Sequence, residues 1–417
     1  VNKISGVCLG SAALLAAVLV SAAPPRDGGR PAAEARLTPR QELGRKLFFD
    51  ARLSTPEGQS CAACHAAEAG WTGPNESDNK GGAVYQGAQA GRFGNRKPPS
   101  AAYAGWSPVL HRVSEEDFAG GMFWDGRATG DQLGDPLAEQ ALGPFLNPLE
   151  QNDPDSRAVV ERVKGSDYAA LFERVWGPGS LDPARPKEAF EKIGRSIAAF
   201  ERSPEVNPFS SRFDGFWSAA RRAGLDPAAI GPDNASRFAG LGLDARELRG
   251  LVLFAGRGRC ASCHPLTPEG SRPPVFTDYT YDNLGVPANP RNPFYTMDKK
   301  YNPEGRNWVD RGLGGFLEGQ ARYARFAPDN LGKQKVPTLR NVDRRPSPGF
   351  VKAYMHNGYF KSLKDVVHFY NTRDAAGARW PAPEVAVNVN REETGDLGLT
   401  GEEEDLIVLF LKTLSDR

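Results

Sequence analysis

Cys61-Ala62-Ala63-Cys64-His65 and Cys260-Ala261-Ser262-Cys263-His264 are two copies of one pattern, Cys-x-x-Cys-His. This spacing attaches a c-type haem. Both thiols add to the haem vinyl groups, and the adjacent histidine binds the iron from the proximal side. The chain holds five cysteines, and the two motifs account for all but Cys8. A redox dithiol does not require the following histidine, and a zinc site would need the two pairs to converge. The sequence therefore predicts two covalent haems. Cys61, Cys64, Cys260 and Cys263 are the attachment points, and His65 and His264 are the proximal iron ligands.

Working outward, each motif is preceded by the same plan. Thr38-Pro39-Arg40-Gln41 starts a helix with a capping box and Pro at its first position, and Leu43, Lys46, Leu47 and Phe48 continue it. Asp244-Ala245-Arg246-Glu247 starts another, continued by Leu248, Leu251, Val252 and Phe254. A helix entering a haem motif, repeated once, predicts two cytochrome c-like domains. Their expected limits are 37–235 and 236–417, with the boundary in the Gly/Pro/Asp-rich stretch 224–242. Segments 156–176 and 186–200 have helical periodicity. Further helices are expected from Ser362 to about Tyr370 and from Thr400 to Leu414. No strand alternation stands out, so the expected fold is mainly α with long irregular loops. The longest loop, 265–335, is rich in Pro, Gly, Asn and Tyr, and a loop of that length covers a cofactor or meets a partner.

The chain has 417 residues, room for two or three domains, and 46 Gly and 34 Pro, which favour loops. Its formal net charge of +1 gives no electrostatic case for nucleic acid. Residues 1–23 read as a signal peptide, with Lys3 ahead of an apolar run from Leu9 to Val20 and small residues before Pro24. Cys8 lies within it, too early for a lipoprotein anchor. Residues 24–36 read as a disordered lead-in, and no other segment is apolar enough to span a membrane. The expected product is exported to the periplasm.

Each iron has a second face. Only His111, His356 and His368 remain as histidines, and Met122, Met297 and Met355 are the only methionines. None of the remaining histidines lies in the forty-odd residues after His65. At least one haem is therefore expected to have an open face, where a small oxidant binds. Cleaving an O–O bond there needs an acid–base group. The first half offers Phe123-Trp124-Asp125-Gly126-Arg127, Glu139-Gln140-Ala141, Pro144 and Asn147-Pro148-Leu149-Glu150.

At these residues the chain resembles the bacterial di-haem cytochrome c peroxidase/MauG family, over roughly 38–417. Two further runs carry the resemblance, Val336-Pro337-Thr338-Leu339-Arg340-Asn341-Val342 and Tyr354-Met355-His356-Asn357-Gly358. It implies that hydrogen peroxide reacts at the haem of His65 and that the haem of His264 is a six-coordinate electron store. It implies Glu150 as acid–base residue, Gln140 as its polar neighbour and Pro144 at the edge of the distal pocket. Trp124 would lie between the haems and relay electrons.

Three departures from the family pattern follow from the same resemblance. Ordinary peroxidases of the family ligate the second iron with Met about fourteen residues after the Tyr-x-His-x-Gly motif. The matching residue here is Tyr370, as in the MauG branch, with His368 or a Met as the alternative ligand. A phenolate is a hard anionic ligand and lowers the potential, where Met raises it. Second, family members bind calcium between the haems through an Asn and two backbone carbonyls. Here Lys97 stands at the Asn position, beside Asn95, and the carbonyl positions are Val351 and Ala353, so calcium is doubtful. Third, MauG has a Trp just before its second haem motif, where this chain has Arg257-Gly258-Arg259.

The resemblance thus points to a MauG-type enzyme that uses peroxide to oxidise a Trp or Tyr on a partner protein. A detoxifying peroxidase fed by a small cytochrome c, and a non-enzymatic electron-transfer or sensor cytochrome, are the alternatives. The loop 265–335, with Tyr279, Tyr281, Tyr295, Tyr301 and Trp308, is the expected docking face or haem cover.

Overall fold

A computed structural model of the protein describes residues 36–417. The expected signal peptide, Cys8 and all of the lead-in but Arg36 lie outside the described residues. The rest is mainly helical, with two two-stranded antiparallel ladders. These pair His111–Arg112 with Phe118–Ala119, and Tyr281–Asp282 with Gln334–Lys335. Among the described residues no helix is long and apolar enough to cross a membrane.

Both helices that enter the haem motifs form as read. Pro39–Phe49 and Ala245–Ala255 each have a complete capping box, from Thr38 with Gln41 and from Asp244 with Glu247. Each crosses a second helix at a glycine. A Cβ on Gly44 would collide with the carbonyl of Ser196 in Pro186–Glu201, and one on Gly250 with that of Leu406 in Gly401–Lys412. Close backbone approach is what glycine permits there. The periodic stretch 156–176 is two helices, Ser156–Lys164 and Ala169–Trp176, separated at Gly165.

Two large apolar clusters result. One gathers Leu43, Leu47, Phe48, Val160, Phe172, Ile193 and Phe200. The other gathers Phe213, Phe216, Trp217, Leu251, Phe254, Phe276, Phe369 and Phe410. The helix Arg212–Arg222 packs in the second cluster, although it lies ahead of the Gly/Pro-rich stretch 224–242.

Buried polar clamps tie segments distant in sequence. The fully buried Arg340 guanidinium donates to Asp214 at 2.8 and 2.9 Å and to the Pro274 carbonyl. Removing one partner of such a buried pair costs about 3–5 kcal/mol. Arg96 bridges Asp125 and Asp310, residues far apart in sequence, at 2.6 and 2.7 Å. Asp416, next to the last residue, accepts from Tyr103 and from Asn341.

Candidate functional site

Each Cys-x-x-Cys-His motif forms a single 3-10 turn, Cys61–Ala63 and Cys260–Ser262, closed by the histidine N–H on the first cysteine's carbonyl. The turn places both thiols and the imidazole on one wall. The wall after Cys61 faces a cavity of about 430 Å³, and the wall after Cys260 a tighter one of about 180 Å³. The two cysteine pairs do not converge, so a shared zinc site is excluded. His65 Nδ1 lies 3.3 Å from the Trp71 carbonyl, and His264 Nδ1 2.8 Å from that of Phe276. An Nδ1–H held by a carbonyl leaves the Nε2 lone pair for a metal. Burial pushes His65 down to about 4 and lowers His264 as well, which keeps both rings neutral as ligation requires. Thiols, neutral imidazole and an apolar cavity together fit a covalently held haem at both places.

The first cavity is lined by Gln140, Pro144 and Glu150, together with Arg127, Trp124 and Tyr301. His65 is its only histidine among the described residues. Gln140 and Pro144 sit on the helix Pro136–Leu146, started by Asp135, whose carboxylate caps Leu137 and Ala138. Glu150 follows in the turn after that helix, and its N–H donates to Asn147 O at 3.0 Å. Gly87 presses on the Leu149 and Glu150 carbonyls where no Cβ fits, and the Ala88 N–H donates to Glu150 O at 2.7 Å. Burial raises the Glu150 carboxyl, partly offset by the Arg127 guanidinium and by Asn147. A carboxyl raised by burial holds its proton to higher pH than a solvated one.

The second cavity is lined by Tyr370, Met355, His356, Leu339, Val342 and Val367, among others. Tyr370, on Leu363–Thr372, points its hydroxyl at the Met355 sulfur, 3.8 Å away. Burial holds the phenol far above its ordinary value. His368 does not line this cavity; its Nδ1 meets Glu404 at 2.9 Å and its side chain is half exposed. His368 therefore lies off this cavity, whose wall offers Tyr370, Met355 and His356. Trp124 lines both cavities, and its Nε1–H donates to the Lys97 carbonyl at 2.8 Å.

Residues 38–222 match a family model described as di-haem cytochrome c peroxidase. The methylamine utilization protein MauG of Paracoccus denitrificans is 33% identical over 96% of this chain and 94% of its own. The chain belongs to the di-haem cytochrome c peroxidase/MauG family. The cytochrome c551 peroxidase of Nitrosomonas europaea is 28% identical over 90% of this chain and 79% of its own. Among solved structures, the diheme peroxidase BthA of Burkholderia thailandensis superposes with a TM-score of 0.72 at 31% identity, covering 91% of this chain and 87% of that one. The protein is thus an oxidoreductase of di-haem peroxidase type.

Within this family the chain has features that its motifs did not disclose. Lys97 is buried, not solvated; its ammonium donates to Thr72 Oγ1 at 2.9 Å and Pro98 O at 3.0 Å, and burial pushes it down to about 7. Lys352, between Val351 and Ala353, spans the halves by donating to the carbonyls of Ala69, Asn341 and Arg344 at 2.9–3.0 Å. Glu201, on the wall of the first cavity, is pushed by burial up to about 8. Nothing in local sequence marks it, because Pro186–Glu201 reads as an ordinary amphipathic helix. The Arg257-Gly258-Arg259 run is held by Glu403 and the Gly398 and Glu392 carbonyls. The aromatics of 265–335 divide: Tyr281 is buried against Gly120 O, Trp308 meets Phe294 edge-on and Tyr295 at a tilt, and Tyr301 reaches the first cavity.

Proposed function

We propose that this protein is a MauG-type enzyme, which uses hydrogen peroxide at the His65 site to drive oxidation of a Trp or Tyr on a partner protein. The observation that carries the reading is Trp124, whose indole forms a wall of both cavities. Haem c held at each motif supplies the iron that exchanges electrons with peroxide and stores the resulting oxidising equivalents. The chain's own residues do the rest. Glu150 takes a proton from the bound peroxide at its carboxylate and returns it to the leaving oxygen. Gln140 orients the oxidant by hydrogen bonding, and Pro144 keeps the helix edge apolar and rigid beside it. Trp124 conducts electrons between the two sites while its N–H stays fixed on Lys97 O.

Tyr370 is read as the second ligand of the His264 iron, since the hydroxyl and the proximal motif share one cavity. An anionic oxygen ligand disfavours reduction of that iron by a high-potential cytochrome. One observation favours the alternative of a detoxifying peroxidase: the Met355 sulfur lies in the same cavity. The acid–base pocket around Glu150 weighs against a cytochrome that only carries electrons or senses gas.

Calcium is read as replaced. Lys352 meets three carbonyls, the number an ammonium's three N–H groups satisfy, and the Lys97 ammonium meets Thr72 Oγ1 and Pro98 O. The reading also places the mature chain in the periplasm, where haem is attached to this motif.

The test is to add peroxide to the di-haem protein with candidate periplasmic partners and look for a mass change on partner Trp or Tyr. Rapid turnover with reduced cytochrome c, and no modified partner, would favour the detoxifying peroxidase.

A further inference from the structure

We infer that Tyr279 and Glu269 form the exit by which oxidising equivalents leave the protein, with Tyr279 as electron relay and Glu269 as its proton acceptor. The inference deepens the reading above and rests on it. A phenol is hard to oxidise unless its proton can leave with the electron. The Tyr279 hydroxyl donates to Glu269 Oε1 at 2.7 Å. Burial and this carboxylate hold the phenol well above its ordinary value, so it carries its proton at neutral pH. Glu269 is only partly buried, which opens the pair toward solvent.

Inward, the pair meets the electron path. Trp124, Tyr279 and Lys335 line one small cavity of about 60 Å³. The Lys335 N–H donates to Trp124 O at 2.8 Å, and its ammonium donates to Tyr279 O at 3.2 Å and lies 5.5 Å from the Tyr279 ring. The segment is also tied to the second haem motif, because Asp278 N–H donates to Cys263 O at 3.1 Å and Phe276 O holds His264. Tyr279 has a positive φ of 64°, which is costly for an aromatic residue and fixes where its ring points. Such strain persists only where surrounding bonds over-determine it, and here Gly120, Lys335 and Thr277 do so.

The other tyrosines serve this role less well. Tyr103 shares the cavity and donates to Asp416, but it is 1% exposed and cannot meet a partner. Tyr281 donates to a carbonyl, which cannot take a proton. Tyr295 reaches Glu384 only at 3.5 Å.

In each step Tyr279 gives one electron inward along Trp124 and its proton to Glu269, leaving a neutral tyrosyl radical and a carboxylic acid. A docked phenol or indole then gives one electron to Tyr279, which regains the proton from Glu269, while the partner's proton goes to solvent. Two such steps match the two electrons that hydrogen peroxide takes on forming two waters with two protons from solvent.

The experiment adds hydrogen peroxide and a nitroso spin trap to the full di-haem protein without partner and follows haem spectra, freeze-quench EPR and adduct mass. A tyrosyl signal and an adduct on Tyr279 are expected. Both disappear in Tyr279→Phe. Glu269→Gln keeps a hydrogen-bond acceptor but takes no proton, so the signal should appear on the order of 10²-fold more slowly. Haem content stays at the wild-type value in each variant. A spectral response to peroxide with adducts on Tyr103 or elsewhere overturns the inference and leaves the peroxide reading intact. Equal rates in Glu269→Gln overturn the role of Glu269. No spectral response to peroxide overturns both the inference and the reading on which it rests.

Discussion

The two cavities are built from the same motif and end differently. The first is roomy and carries the polar groups Glu150, Gln140, Arg127 and Glu201. The second is tighter, walled by Leu339, Val342, Val366, Val367, Ile407 and Leu411, and points Tyr370 and Met355 inward. Identical attachment motifs thus sit against cavities of different size and lining. The difference is made by the helix facing each motif. Pro136–Leu146 brings Gln140 and Pro144 to one, and Leu363–Thr372 brings Tyr370 to the other.

The largest expected break in this contrast is Glu150→Gln. It preserves shape and removes the acid–base function, so peroxide activation should slow by ~10²–10⁴-fold while both haems remain loaded. The Glu150 carboxyl is raised above its ordinary value. Its proton-bound form therefore favours folding below the unfolded value, and that contribution is lost as pH rises through the folded value. Glu150→Gln should accordingly leave thermal stability at pH 7 unchanged or higher, read by calorimetry. Wild-type peroxide kinetics in this variant would remove the distinction between the sites.

Tyr370→Phe sharpens the comparison from the other side. It should change the spin state or potential of the His264 haem and leave haem content and the His65 signal alone. An unchanged spectrum would mean that another residue binds the iron.

A smaller effect is expected between the sites. Chelator treatment should leave the spectra intact, and metal analysis should find no stoichiometric calcium, because Lys97 and Lys352 occupy the junction. One tightly bound calcium per chain would show that Asn95 and the carbonyls of Val351 and Ala353 suffice.

How much of this was legible in the sequence differs between the same two regions. The haem turns and the helices that enter them were readable because their signals are local: cysteine spacing, capping boxes and apolar periodicity. The roles of Gln140, Pro144 and Glu150 came only through family resemblance, because a helix with Gly143 and Pro144 inside it weakens its own periodic signal. Contacts between distant segments left no local trace. Arg96 with Asp310 and Lys352 on the Ala69 carbonyl are consequences of how the halves pack, while Tyr279 on Glu269 closes within the loop 265–335. His368 shows the converse, since sequence admitted it as a ligand and the helix phase turns it toward Glu404.

Low-temperature EPR of the resting protein, with haem content measured by pyridine haemochrome, tests the central contrast most directly. The account predicts two covalent haems per chain, one high-spin with an open or water-filled face and one low-spin. Two identical low-spin signals would contradict it.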